Sequence, residues 1–170
     1  GRVWIHAHHG VNNLEDIFSK LRYMIIGLDC KWIVVDHLHM LVLSTLENDE
    51  RKAIDSIMTN LRKLVQETGV GLFLVSHLRR PSGSKAHEDG GKISLGELRG
   101  SAAIAQLSDI VIGLERDQQH KDPETRNTTT VRVLKNRFVG LTGPACYLYY
   151  DKDSGRMIET SCPMGEESDF

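Results

Sequence analysis

The segment KWIVVDH at positions 31–37 constrains the fold more than any other stretch of this chain. Its apolar, largely β-branched residues follow one another without alternation, which is typical of a strand buried on both faces of a parallel sheet. Asp36 closes the run, so the strand would present a carboxylate at the carboxyl edge of the sheet, where α/β folds bind their ligands. Such an acid can support a hydrated Mg²⁺, but many buried strands end in an Asp that is only a cap.

Composition favours one globular domain with an ordinary core, because 40% of the 170 residues are hydrophobic and 26% are charged. The net charge of −2 excludes a uniformly basic nucleic-acid coat and leaves room for a local basic groove. The three cysteines lack C-x-x-C spacing, so the sequence indicates neither a disulfide framework nor a zinc site. With no apolar run near the ~20 residues of a membrane span and no basic-then-apolar leader, we expect a soluble chain without an export signal.

The first part of the chain alternates between strand and helix patterns. Residues 2–6 are predicted to form a short strand, and apolar residues recur at helical spacing over 13–27, with Asn12 or Asn13 as the cap. This helix would join the first strand to the strand that ends in Asp36.

A second strand follows the central one after a long helix. The helix begins at the acidic residues 48–50 and ends at Gly69, and the apolar strand 71–77 ends in His77. A right-handed strand–helix–strand crossover makes the two strands neighbours, so we expect His77 near Asp36 at one edge of the sheet.

Histidines at the start of the chain raise the possibility of a metal site. They resemble the first half of an H-x-H-x-D-H metal signature, but Gly10 and Val11 stand where its Asp-His pair should follow. Polar residues at a strand end are therefore the favoured interpretation. A metallohydrolase would need ligands from two strands in unrelated registers, namely His6, His8, His9, Asp36, His37 and His39.

Residues 78–97 have no apolar periodicity, and loops of this length inside compact domains are usually functional or disordered. Arg79, Arg80 and Lys85 make the loop basic, and few aromatic residues accompany them. Contacts to a phosphate backbone are therefore favoured over base stacking. A solvated surface loop is an equally good interpretation of the composition alone.

In the remainder of the chain, residues 98–101 open a helix that runs to 107. A strand over 109–115 and then a mostly β region follow. A strand over 128–135 leads into Lys135 and Arg137, which lie two residues apart. Positions two apart on a strand share a face, so both cations could converge on one anion. Strands around 146–150 and 157–158 complete the pattern.

Taken in order, these motifs resemble the C-terminal half of a RecA-fold replicative helicase. The strongest resemblance is to the helicase domain of tailed-phage primase-helicases, with Twinkle and DnaB-like helicases as more distant relatives. The resemblance implies an α/β fold: a RecA-like P-loop NTPase core with a mostly parallel sheet, flanking helices and an antiparallel C-terminal hairpin. Residues 1–160 would belong to this domain and 161–170 to an acidic flexible tail.

The resemblance also implies roles for single residues. Asp36 matches the Walker B acid that supports Mg²⁺, and His77 matches the polar sensor of the γ-phosphate. Arg137, with Lys135 beside it, matches the arginine finger that reaches the nucleotide of a neighbouring subunit. Arg116 and Tyr150 match positions that sandwich the nucleotide base. The positions that contact DNA are matched by Arg79, Arg80, Lys85, Arg99 and Gly100.

A helicase of this kind would hydrolyse ATP or dTTP with Mg²⁺, form a ring, usually a hexamer, and translocate on single-stranded DNA in a bacterial host's cytoplasm. The acidic tail ending in Phe170 resembles a phage helicase tail that docks on the replicative DNA polymerase, although a solvated terminus fits it as well.

One departure from the family pattern is large. The chain contains no G-x-x-x-x-G-K-[ST] motif, so the phosphate-binding loop would lie upstream, and we expect the piece to be inactive alone. The first strand of the family's sheet and the helix that follows the phosphate-binding loop would be missing as well, which would leave a sheet edge and apolar surface exposed. The alternative interpretation is a non-hydrolysing RecA-like module with an assembly or regulatory role.

Overall fold

The structure, a computed structural model, describes residues 2–7, 13–45, 47–79, 86–100 and 102–163. The chain divides into two compact units. The first unit comprises Gly1–His77 with Arg99–Leu107, and the second comprises Leu78–Leu98 with Ser108–Phe170. Within the described ranges, no helix combines the length and the apolar character that crossing a membrane requires.

The first unit is an α/β unit whose helices pack beside a short parallel sheet. Its elements are α1 (Leu14–Arg22), which runs on as a π-helical turn (Tyr23–Gly27), β1 (Trp32–Val35), α2 (Leu38–Val42), α3 (Glu50–Thr68), β2 (Gly71–Leu74) and α4 (Ala102–Leu107). The side chains of Leu38, Ile54, Ile57, Leu61 and Leu64 are completely buried. Most of these residues repeat along α3, which confirms the predicted apolar stripe.

The helix ends follow from local chemistry. The side chain of Asn13 accepts a hydrogen bond from the Asp16 N–H at 2.8 Å, so Asn13 is the cap of α1. Asp49 caps α3 by accepting from the backbone N–H groups of Arg51 and Lys52. Gly69 ends α3 at a φ of 69°, a left-handed conformation that glycine adopts without strain.

β1 and β2 run parallel and side by side, as the crossover argument predicts. Trp32 pairs with Gly71 and Val35 with Leu74, so both strands end at the same edge. Ile33 is buried on one face, whereas Trp32 and Val34, on the other face, are 67% and 68% exposed. The prediction that this strand is buried on both faces was therefore wrong for the chain as described, and the exposed apolar surface that we expected is present.

The predicted strand over residues 2–6 is not formed, since residues 2–7 have no regular secondary structure. A strand needs a hydrogen-bonded neighbour, and β1 pairs with β2 among the described residues. Apolar composition alone therefore did not make this segment a strand.

The second unit is built on an antiparallel sheet. Its elements are a 3₁₀ turn (Leu95–Glu97), β3 (Ile110–Glu115), α5 (Pro123–Asn127), β4 (Thr128–Asn136), β5 (Gly143–Asp151) and β6 (Arg156–Thr160). The strand order is β3-β4-β5-β6, and every neighbouring pair is antiparallel. The α/β class is confirmed, while the antiparallel part extends beyond a hairpin to four strands.

A half-buried ion pair fixes one segment of the long loop on this sheet. The Glu115 carboxylate accepts from the Ile93 N–H at 2.7 Å and from the Arg132 Nε at 2.9 Å. One carboxylate thereby joins β3, β4 and the loop.

Candidate nucleotide and DNA site

The carboxyl edge of β1 and β2 brings together two of the predicted site residues. Asp36 follows β1 directly and is exposed, and His77 lies just beyond β2. Backbone bonding continues past the strands, because the Val75 N–H donates to the Val35 carbonyl at 3.0 Å. The peptide bond between Asp36 and His37 is cis. The sequence thus located this edge correctly, and the roles of Asp36 and His77 remain predictions.

Three imidazoles gather at this edge. The ring centroid of His37 lies 4.3 Å from that of His77, and His39 lies 5.6 Å from His77 and 6.0 Å from His37. Burial, and next the Arg99 guanidinium, lower the pKa of His39, whereas Glu50 acts in the opposite direction. These effects favour the neutral form of His39.

These histidines do not form a metal centre. Within the described ranges, no group of three His, Cys, Asp or Glu side chains is arranged to hold a metal ion. His8 and His9, which the metallohydrolase interpretation requires, lie outside the described residues.

Arg99, one of the predicted DNA-binding residues, is tied to the same region of the first unit. Its backbone N–H donates to the His77 carbonyl at 3.1 Å. Its Nε lies 3.3 Å from the Glu50 Oε1, and the Nε2 of His39 lies 3.4 Å from that same oxygen. The sequence marks Glu50 only as part of the acidic start of a helix and gives no sign of its proximity to Arg99 and His39.

Gly100 has a structural reason to be glycine. Its φ is 108°, and a Cβ there would clash with the Cδ1 of Ile54, which is completely buried in α3. Gly100 thus allows the segment that carries Arg99 to approach α3 closely.

We expect Gly100→Ala to destabilise the protein by about 1–3 kcal/mol, because it adds both backbone strain and a clash with Ile54. Urea unfolding monitored by circular dichroism would measure the change. Gly143→Ala is a suitable control, because its φ of 126°, like that of Gly100, lies outside the range that L residues adopt, but no atom lies within 4 Å of the added Cβ. Equal losses in the two variants would contradict the packing argument.

The predicted DNA loop belongs to the second unit and is partly described. The Arg79 N–H donates to the Glu97 carbonyl at 2.7 Å, and the Arg79 carbonyl lies 3.2 Å from the His87 Nε2. Leu78 and Leu98 form an antiparallel bridge, so the two ends of the loop are held together. Arg80 and Lys85 lie outside the described residues.

Lys135 and Arg137 both contact the start of β3. The Lys135 Nζ donates to the Ser108 carbonyl at 2.8 Å, and the Arg137 Nη1 donates to the Asp109 Oδ1 at 3.1 Å. Within the chain the two cations thus bind adjacent residues at one end of the antiparallel sheet.

Arg116 and Tyr150 lie at the other end of that sheet. Arg116 follows β3, where its guanidinium donates to the Arg126 carbonyl at 2.8 Å and to the Asn127 Oδ1 at 3.2 Å. Tyr150 lies near the end of β5, next to Tyr149, which pairs with Thr128 at the start of β4. The nine residues of β4 separate the two ends by about 30 Å.

Comparison with known proteins assigns the family. Residues 2–157 match the model of the DnaB-like helicase C-terminal domain. The chain belongs to this family. That assignment confirms the resemblance on which the residue roles were based.

Two relatives illustrate how this DnaB-like domain compares along its sequence. It is 45% identical over 152 residues to the DNA helicase/primase of Enterobacteria phage T3, covering 89% of this chain and 26% of the relative. It is 28% identical over 126 residues to the replicative DNA helicase DnaB of Geobacillus stearothermophilus, covering 73% of the chain and 27% of that protein. The chain spans about a quarter of the length of these relatives.

Solved structures support the same fold. A DnaB-like replicative helicase studied with its primase interactions superposes with a TM-score of 0.68 at 24% identity, covering 86% of this chain and 34% of that one. A separately solved ATPase domain also superposes with a TM-score of 0.68 at 23% identity, covering 88% of this chain and 52% of that one. The DnaB-like domain therefore has the RecA-like helicase architecture.

Proposed function

We propose that the protein containing this domain is a replicative DNA helicase that couples nucleotide hydrolysis to movement along single-stranded DNA and to duplex unwinding. The observation that carries the proposal is the placement of Asp36 and His77 at one edge of β1 and β2, within a DnaB-like domain. Ligands of α/β sheets bind at this edge.

The donor set at this edge fits Mg²⁺ bound with a nucleotide. Asp36 offers exposed carboxylate oxygens, and Mg²⁺ typically uses one or two carboxylates, several waters and the substrate's phosphates. Asp36 would hold the hydrated ion, which neutralises charge on the phosphates, and His77 would contact the γ-phosphate. Either ATP or dTTP is compatible with this arrangement.

The chain by itself is proposed not to hydrolyse nucleotide. It contains no G-x-x-x-x-G-K-[ST] motif to cradle the phosphates. The exposed face formed by Trp32, Val34 and Phe73 fits a surface that another part of the full-length protein covers.

Ring assembly is part of the proposal, and the spacing of the predicted site residues supports it. Arg137 lies about 30 Å from the end of the sheet that carries Arg116 and Tyr150, which is too far for all three to reach one nucleotide. A neighbouring subunit would bring its own Arg137 to the nucleotide, and repetition of this head-to-tail contact closes a ring.

DNA would pass along Arg79, Arg80, Lys85, Arg99 and Gly100. Residue 78 follows His77 directly in the chain, and the Arg99 N–H donates to the His77 carbonyl at 3.1 Å, so a movement of His77 on nucleotide binding would be passed to each of the segments 78–79 and 99–100. The contact between the tail and a DNA polymerase stays a prediction, because residues 164–170, including Phe170, lie outside the described residues.

The test is a strand-displacement assay with the full-length protein, combined with measurement of nucleotide hydrolysis with and without single-stranded DNA. We expect DNA to stimulate hydrolysis, and we expect Asp36→Asn to remove both hydrolysis and unwinding. Asp153→Asn, which removes the same charge from the turn between β5 and β6, is the matched control. Full turnover in Asp36→Asn, or a wild-type protein that unwinds nothing, would refute the proposal.

A further inference from the structure

One carboxylate oxygen joins three parts of the first unit. The Oε1 of Glu50, in the first turn of α3, lies 3.3 Å from the Nε of Arg99 and 3.4 Å from the Nε2 of His39. His39 lies in α2, and Arg99 precedes α4. Glu50 therefore lies beside both a residue of the histidine cluster and a predicted DNA contact.

We propose that Glu50 is a positioning residue: its carboxylate holds the Arg99 guanidinium when no DNA is bound and releases it to a DNA phosphate. This inference rests on the proposed function, because it takes Arg99 as a DNA contact. A phosphate oxygen and a carboxylate oxygen compete for the same guanidinium donors.

The ion pair between Arg99 and Glu50 is one that a DNA phosphate can replace. The side chain of Arg99 is 54% exposed and that of Glu50 is 45% exposed, and ion pairs at such surface positions are weak. A DNA phosphate can therefore replace Glu50 without disrupting the core. Gly100, which packs against Ile54, fixes the backbone beside Arg99, so the exchange needs only a side-chain movement.

Two contacts connect Glu50 to His77. The Arg99 N–H donates to the His77 carbonyl at 3.1 Å, and the His39 ring lies 5.6 Å from the His77 ring. A shift of His77 on nucleotide binding would thus reach both partners of the Glu50 carboxylate. Burial, and next the Arg99 guanidinium, lower the pKa of His39, so the Arg99 guanidinium 3.3 Å away is the main cationic partner of the Glu50 carboxylate.

Helix capping does not account for Glu50. Asp49 is the residue that caps α3, since its side chain accepts from the N–H groups of Arg51 and Lys52. Glu50 still stabilises α3 through the favourable interaction of a first-turn carboxylate with the helix dipole. A control substitution can remove the same interaction from another helix. Glu15 occupies the equivalent first turn of α1.

The experiment measures the affinity of the full-length protein for a fluorescent oligothymidylate, with and without a non-hydrolysable nucleotide. We expect Glu50→Gln to tighten binding about two- to fivefold in the absence of nucleotide, because the competitor for Arg99 is gone. The difference between the nucleotide-free and nucleotide-bound affinities should shrink. Glu50→Asp should restore part of this difference, and Glu15→Gln should leave it unchanged.

A double-mutant cycle separates this role from a general electrostatic effect. In an Arg99→Ala background, which should itself weaken binding, Glu50→Gln should have no further effect. Weaker or unchanged DNA binding by Glu50→Gln, or the same tightening in the Arg99→Ala background, would overturn this inference and leave the proposed function standing. A wild-type protein that does not bind single-stranded DNA would overturn the proposed function and this inference with it.

Discussion

Arg137→Ala in the full-length protein is expected to lower nucleotide turnover by about 10³- to 10⁵-fold while assembly and nucleotide binding persist. The guanidinium would stabilise the charge that spreads over the transferring phosphoryl group. The side chain of Arg137 is 47% exposed and pairs with Asp109 at the surface, so its removal should cost the fold little. Arg156→Ala, an exposed arginine in β6, is the matched control for loss of charge.

Mixing experiments test whether Arg137 acts between subunits. If each arginine completes a neighbour's site, adding Arg137→Ala protein to wild-type protein should depress turnover more than in proportion to its share. A steady-state hydrolysis assay at fixed total protein would measure this response. A strictly proportional decline would argue that each chain uses its own Arg137.

Arg79→Ala combined with Lys85→Ala is expected to weaken binding of single-stranded DNA by the full-length protein. Each lost phosphate contact removes about 0.7 from the slope of log K against log salt, so the pair should flatten it by about 1.4. Fluorescence anisotropy across a salt series would measure both effects. Lys121→Ala with Lys152→Ala removes two exposed lysines elsewhere and should leave the slope unchanged. The loop would lose its assigned role if affinity were unaltered at every salt concentration.

Local chemistry made several elements of this chain predictable. The apolar stripe of α3, its start at the acidic residues 48–50 and its end at Gly69 depend on helical spacing, a cap and one left-handed residue. The parallel arrangement of β1 and β2 follows from the handedness of a single crossover. These features require contacts only within one helix or between consecutive strands, which is why residue order was enough to find the edge carrying Asp36 and His77.

Other predictions failed where partners distant in sequence decide the outcome. Residues 2–6 match a strand pattern, but the pattern does not supply the hydrogen-bonded neighbour that a strand needs, so no strand forms there. Nor does a pattern state the direction of a neighbour, so only the structure decided that β3 pairs antiparallel with β4. Val34 is apolar and exposed because burial depends on whichever element covers that face, and not on the residue itself.

By itself the sequence determined the start of α1, both ends of α3, the neighbouring strands that precede Asp36 and His77, and the family to which the motifs belong. It did not predict the short helices α2 and α5. Only the tertiary structure decided that one oxygen of Glu50 lies within 3.4 Å of both His39 and Arg99, residues 60 positions apart in the chain. Periodicity describes each element separately, whereas a shared carboxylate depends on how α2, α3 and the segment before α4 pack together.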